Sequence, residues 1–474
     1  MSNNKAYRLL ILIIFLAGCQ GNTTHFTSRV TIQKKWSTKD SFSSQRKNNT
    51  PLPCLPWWET FHDKTLNHLV REALIYNNKL NRSRSNVEAA TGELKKVKLQ
   101  WIPNIDYLVG YSQNPAFGFP GFLALFAPSY TINIIQHFQE QKKATHALAA
   151  AKAEDDTIRL YVISAIVSAY ITYLGELEHE KLIKNYLSDL KHIDSISVEM
   201  KNNGLVSQIT PEAIHSKVDE LQGELEQVEH NIVLSRNAIH YLINSNPNDF
   251  STTYTFNKLK DTYIAPKSLP LTVLRQRPDM RFAIHKLTVA NMKIGVASND
   301  LLPEMHLDLF MGPISKFSRY TLPKFMVYFN DQLLRIPVLK LYVLGEIEKA
   351  TGQRNMAYYA YLDTLQKILQ DTTNALSAHD RLSHQLLDTV NSRKHYAKIY
   401  KLNLALTKQG IQSNIKTLQT KLLLHKKKIA VNHDKLQSML AVIKLYQELG
   451  GGYHASPASV GPWPNIKEIQ KLTF

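Results

Sequence analysis

Apolar and polar residues alternate between residues 104 and 112: Ile105, Tyr107, Val109 and Tyr111 fall on one side, with Asn104, Asp106 and Ser112 among the others. That period of two predicts a half-buried strand. Upstream the period is helical, with Asp63 as a good N-cap and Pro103 as the stop, which predicts one helix running to about Trp101. Gly and Pro punctuate 114 to 128, and a second strand is expected from Tyr130 to Phe138. From Glu140 to Lys201 no proline or other obvious breaker intervenes, so a helix of some 60 residues would extend roughly 90 Å. Globular helices average about 11 to 12 residues, so this one reads as a coiled-coil arm. Asn202, Asn203 and Gly204 supply the left-handed conformations of a helix C-terminus. Thr210 is then expected to cap a return arm, with Pro211 at its first position and Glu212 near its positive end. The return arm runs to about Asn244, and residues 245 to 268 read as a polar link.

The same order then repeats. With a shift of 200, Leu69 falls on Leu269, Leu74 on Leu274, Ala90 on Ala290, Leu94 on Ile294, Ile102 on Leu302, Pro103 on Pro303 and Val109 on Leu309. Further on the shift is 206: Lys143, Ala144 and Thr145 meet Lys349, Ala350 and Thr351, Ala169 meets Ala375, and Gly204 meets Gly410. A self-match in this order implies two copies of one structural unit. The second copy predicts strands around 304 to 312 and 324 to 336, a long arm from Tyr342 to Lys408, a turn at Gly410, and a last helix capped by Ser413 or Asn414. In that helix Ile415, Leu422, Ile429, Leu436 and Ile443 stand in heptad order and predict a left-handed supercoil. Leu418 and Met439 hold the companion register, which His425 and Asn432 interrupt as satisfied or lumen-facing polar positions.

Composition narrows the class. The chain has 474 residues with 44% hydrophobic content, and its mean hydropathy of −0.25 excludes a multi-span helical membrane protein. The net charge of +18 is spread along the helices, not gathered with aromatics, which argues against nucleic acid and for a solvated surface facing anionic lipid or polysaccharide. Lys5 and Arg8 precede the apolar run Leu9 to Leu16, and Leu16, Ala17, Gly18, Cys19 complete a signal peptide with a lipobox. Cys19 is therefore the expected lipid attachment and the first residue of the mature chain. Cys54, left without a disulfide partner, is expected to be a small buried hydrophobe. No CxxC, HExxH or Cys/His ligand spacing occurs, so no metal is expected. No cofactor is expected either: Gly450 to Gly452 follow a helix, where a phosphate cradle would precede one. Carboxylates lie singly on helical faces, so no enzyme is expected.

The run Leu269 to Pro303, the opening Trp57, Trp58, Phe61, Asp63, and the ending Leu445, Tyr446, Leu449, Gly450, Gly451, Gly452, Tyr453 resemble the lipoprotein branch of the TolC-like outer-membrane efflux proteins. The resemblance covers about residues 50 to 453. It implies a mainly α chain with a small transmembrane β part, organised as two repeats of a long helical hairpin and a two-strand segment. Four strands leave open edges, whereas a lipid-facing sheet must close. Three chains give twelve strands and twelve columns, so the expected assembly is a homotrimer: a 12-stranded β-barrel joined to a periplasmic α-helical coiled-coil barrel. The expected organisation is a signal peptide at 1–18, a lipid-anchored tether at 19–56, a first repeat at 57–245 with its hairpin at about 140–245, and an equatorial link at 246–268. A second repeat at 269–453, with its hairpin at about 341–449, and a tail at 454–474 complete it.

The resemblance further implies a channel subunit of a tripartite efflux system, lipid-anchored in the outer membrane and extending into the periplasm. Such a duct is passive and docks to a periplasmic adaptor and an inner-membrane pump of the RND type. The adaptor-docking tips would be Gly204, Leu205, Val206, Ser207 and Gly410, Ile411, Gln412, Ser413. Relatives ring their closed aperture with acidic residues six and nine places after the second glycine. Here those places hold Lys416 and Gln419, and Thr210 stands in the first copy, so cation selectivity should be lost or reversed. The rival reading is a lipid-anchored periplasmic coiled-coil scaffold without a pore, which has no use for alternating strand segments.

Overall fold

In a computed structural model, residues 51–112, 121–248, 250, 252, 254–259, 274–316 and 324–455 are described. The lipobox and Cys19 lie outside them. Helix α1 (Lys64–Tyr76) and helix α2 (Asn78–Leu99) lead into strand β1 (Asn104–Ser112) and strand β2 (Gly121–Ile132). Helix α3 (Ile134–Asn202) and helix α4 (Ile209–Leu242) form the first hairpin. Helix α5 (Pro278–Asn299), strand β3 (Glu304–Lys316) and strand β4 (Lys324–Arg335) follow, and α6 (Tyr342–Lys408) and α7 (Asn414–Glu448) form the second hairpin.

The four strands make one antiparallel sheet in the order β1-β2-β3-β4. Ile105, Tyr107, Val109 and Tyr111 are all exposed and share one face of β1 by the pleat. The second strand begins earlier than its sequence suggested and stops at Ile132; residues 134 to 138 already belong to α3. The Gly and Pro punctuation concealed the apolar run Leu123 to Ala127. The β2–β3 register passes from Phe126 opposite Met311 to Ser129 opposite Asp308, skipping Ala127 and Pro128, as expected where proline has no N–H to give. Asn133 then starts α3, its side chain accepting from the Gln136 amide.

Helix α3 has 69 residues and α6 has 67, about 100 Å each at 1.5 Å per residue. The return helices, with 34 and 35 residues, reach only half as far. Helices α2 and α5 cover the remainder, and they meet the return helices end to end. The expected single helix from Asp63 to Trp101 is broken at Asn77, whose backbone is extended and whose side chain caps α2 through the Lys79 and Leu80 amides. The same side chain donates to the Leu242 carbonyl at the end of α4, at 2.8 Å. A packing requirement therefore overrides local helical propensity. With the shift of 200 Asn77 becomes Arg277, and with the shift of 206 Leu242 becomes Glu448. Arg277 is likewise extended ahead of α5 and donates to the Glu448 carbonyl.

The largest core sits at this level. Trp57, Trp58, Tyr170, Phe256 and Tyr446 are fully buried in it. The link after α4 is less polar in its packing than in its composition, because Phe250 and Tyr254 rest on the core and Phe256 enters it. A second cluster toward the tip seals the first hairpin, with Ile183, Leu187 and Leu190 of α3 against Val218, Leu221 and Val228 of α4. Cys54 is exposed, contrary to expectation, because the short turn Leu52–Cys54 buries Leu52 and Pro53 instead.

Candidate functional site

The residues that stood out in the sequence gather at two levels, a belt at mid-height and the hairpin tips. At the belt the three motifs that are separate in sequence touch. Trp57 stacks on Tyr446 with ring centroids 4.9 Å apart and donates to the Gly451 carbonyl at 3.3 Å. The Gly452 amide donates to the Leu52 carbonyl at 3.0 Å, and Tyr453 donates its hydroxyl proton to the Gln276 carbonyl at 2.7 Å. Gly452 has φ of +87, and a Cβ there would stand 2.8 Å from Trp58 and 2.9 Å from Trp57; only glycine allows both the turn and the approach. Asp63 caps α1 through the Thr65 and Leu66 amides and accepts the Tyr170 hydroxyl at 2.6 Å. Burial and that carboxylate push the Tyr170 phenol well above its ordinary range.

Both tips close with the same turn. The Leu205 amide donates to the Met200 carbonyl and the Gly204 amide to Lys201; the Ile411 amide donates to Leu406 and the Gly410 amide to Thr407. With φ of +72 at Gly204 and +73 at Gly410, each is a Schellman C-cap. Leu205 and Ile411 project into solvent at 69% and 70% exposure, while Val206 and Gln412 are half-buried and Ser207 and Ser413 exposed. Ser413 caps α7 through the Ile415 amide. The cap expected in the first copy does not form: α4 starts at Ile209, so Thr210 lies inside the helix and caps nothing. Ser207 instead accepts the Thr210 amide on its carbonyl at 3.2 Å, and this backbone turn replaces the expected side-chain cap. Thr210, Lys416 and Gln419 are exposed.

A clasp near the tips joins the two hairpins. Asp189 of α3 accepts Lys421 Nζ at 2.7 Å and His425 Nε2 at 2.6 Å, both from α7, and Tyr186 stacks on the His425 ring at 5.5 Å. Above it, Asn432 donates to the Gly175 carbonyl at 3.0 Å. Both polar interruptions of the heptad pattern are thus buried and engaged. Burial lowers the His425 pKa; the Asp189 hydrogen bond opposes this, and Lys428 and Lys421 add to the lowering. Its Nδ1 is buried without a partner, so charging the ring would place a proton where nothing accepts it. For Asp189, burial acts upward, but the hydrogen bonds from Lys421 and His425 prevail and hold the carboxyl below its usual range.

A histidine with a depressed folded pKa costs nothing above the unfolded value near 6.5 and destabilises progressively as pH falls through it. Thermal stability should therefore fall between pH 7.5 and 5.5, and His425→Gln, which keeps a donor for Asp189, should shrink that fall. Equal pH profiles for the two proteins in circular dichroism melts would reject the neutral-histidine clasp.

A four-stranded sheet with two free edges, continuous with hairpins of about 100 Å tied at mid-height, is a fold shared with solved outer-membrane channels. The toluene efflux pump outer membrane protein TtgC of Pseudomonas putida is 20% identical over 466 residues, covering 94% of this chain and 95% of that protein. OprJ of Pseudomonas aeruginosa is 21% identical over 469 residues, with 94% and 95% covered. Among solved structures, the outer-membrane channel OprN superposes with a TM-score of 0.76 at 18% identity, covering 90% of this chain and 99% of that one. The open state of the Neisseria gonorrhoeae MtrE channel gives 0.73 at 20% identity, with 90% and 99% covered. No protein-family model matches the chain. In fold and over its full length the chain is similar to outer-membrane efflux proteins.

Proposed function

We propose that this chain is one subunit of a homotrimeric outer-membrane channel, a passive exit duct for small molecules anchored by lipid on Cys19. The carrying observation is the sheet: β1 and β4 are both edge strands, and a lipid-facing sheet with open edges leaves backbone groups unsatisfied. Three copies close twelve strands, and the same closure gathers twelve helical columns into a tube across the periplasm. Energy comes from an inner-membrane pump of the RND type, reached through a periplasmic adaptor that docks on Gly204 to Ser207 and Gly410 to Ser413. The exposed Leu205 and Ile411 are the apolar anchors such docking requires.

Gating follows from how the tips are packed. The first hairpin is sealed by aliphatic side chains, whereas the second is sealed near its tip by Asn403 donating to Thr420 and by Thr407 meeting Thr417, at 2.8 and 2.7 Å. A polar seam of this kind has less apolar burial to lose, so α6 and α7 are the pair that shifts to widen the aperture. The reading is tested by conductance of the purified protein in planar bilayers and by restored drug resistance in a strain lacking its own such channel. A water-soluble monomer without conductance sinks it.

At the aperture three Lys416 side chains converge on the axis, where a low-dielectric constriction magnifies a positive field. Single-channel reversal potentials should show no cation preference in the wild type and a shift toward cations in Lys416→Ala. A clear cation preference that Lys416→Ala leaves unchanged would reject this role.

A further inference from the structure

In the tip half of the molecule the long helices pack in the order α4, α3, α7, α6, which leaves α4 and α6 as the outer columns. Their charges are opposite. Residues 389 to 433 of the second hairpin hold ten Lys and Arg and no Asp or Glu, while the equivalent residues 183 to 227 hold eight Asp and Glu and four Lys. On α4, Glu212, Asp219 and Glu226 stand seven apart and exposed, on the side away from the buried Val218, Leu221 and Val228. On α6, Lys394, Lys401 and Lys408 also stand seven apart and exposed, off the face by which Asn403 and Thr407 bond to α7. Leu402 lies beside them at 57% exposure. Among the described residues none of these six charges is in an ion pair. Seven residues are two helical turns, so both rows repeat every 10 Å or so. Helix α4 leaves the tip and α6 approaches it, and Glu212 and Lys408 both lie within the first turn from it.

We propose that neighbouring copies of this chain meet along α4 of one and α6 of the next, Glu212 facing Lys408, Asp219 facing Lys401 and Glu226 facing Lys394. The contact is heterologous, so it closes a ring by repetition, and it rests on the channel reading for the existence of that ring. Its charges are solvent-exposed and screened by salt. The seam therefore holds the tips together by a force that can be released without baring a large apolar surface, which suits a gate.

The test uses the full-length lipoprotein carrying Cys54→Ser, purified in detergent. Asp219→Cys combined with Lys401→Cys should give covalent dimers and trimers on mild oxidation, at least tenfold above either single variant. A trimer by light scattering whose double variant cross-links no more than the single ones overturns the ladder and leaves the channel reading standing. A wild-type monomer overturns both. As a second arm, the triple reversal Lys394→Glu, Lys401→Glu, Lys408→Glu should raise the open fraction of single channels several-fold. Adding Glu212→Lys, Asp219→Lys and Glu226→Lys should return it to the wild-type level. Failure of the combined reversal to restore closure overturns the pairing.

Discussion

Arg277→Ala should destabilise the folded chain by about 3–5 kcal/mol, the cost of removing one partner from a buried ion pair. Arg277 is buried at 3% exposure, and Glu448 at 2%. The guanidinium takes Asp279 bidentately, Nε to Oδ1 at 3.0 Å and Nη2 to Oδ2 at 2.6 Å, while Nη1 reaches both the carbonyl and the carboxylate of Glu448. Burial alone would lower the Arg277 pKa, but Asp279 and Glu448 more than offset it, so the group is held charged. Without it the Glu448 carboxylate keeps Lys444, half exposed at 2.7 Å, as its one cation among the described residues, with the Gln447 amide at 3.4 Å. Arg277→Lys should recover part of the loss and not the bidentate geometry. Arg277→Met with Glu448→Leu should recover most of it, because replacing both charges removes the desolvation penalty along with the attraction. Thermal or urea unfolding of the four proteins checks this; a loss under about 1 kcal/mol for Arg277→Ala would mean that solvent reaches the belt.

Arg277 and Asn77 also mark where the sequence stops being legible. The long arms were readable because α3 and α6 run without breakers and end at glycines that take a left-handed turn, a local requirement that local residues announce. Strand β3 was readable because its alternation begins directly after Pro303. The break at Asn77 was not, since nothing near it in sequence says that its amide will be used 165 residues later at the Leu242 carbonyl. The clasp on Asp189 is a similar case. His425 announced itself by interrupting an apolar register, but its partner lies 236 residues away on a face of α3 that reads as ordinary solvated charge. The start of β2 was hidden for a different reason: Pro128 argues against an interior strand, and the sheet accommodates it where the β2–β3 register skips Ala127 and Pro128, as it also skips Ala124 and Leu125. Local signals identified the elements, and contacts between residues far apart in sequence decided where those elements break.

The second large effect is expected at Trp57, where the beginning and the end of the body meet. Trp57→Ala should cost about 3–5 kcal/mol, as for other fully buried aromatics cut to alanine. The ring is completely buried, lies parallel to Tyr446 within 5°, and meets the Trp58 ring edge-on at 5.8 Å. Losing the stack removes about 0.5–1.5 kcal/mol beyond burial, and losing the indole N–H leaves the Gly451 carbonyl without that donor. Trp57→Phe should restore most of the packing but not the hydrogen bond, and so should lie about 1 kcal/mol below wild type. The consequence for assembly differs from that of Arg277. Trp57 fixes the segment ahead of α1 to the end of α7, so Trp57→Ala should loosen the belt while the hairpin tips keep their turns. Hydrogen exchange separates the two cases: faster exchange should appear in residues 51–63 and 446–455, with the amides of Leu205 and Ile411 unchanged. Uniform acceleration along α3 and α4 would mean that the belt and the hairpins unfold as a single cooperative unit.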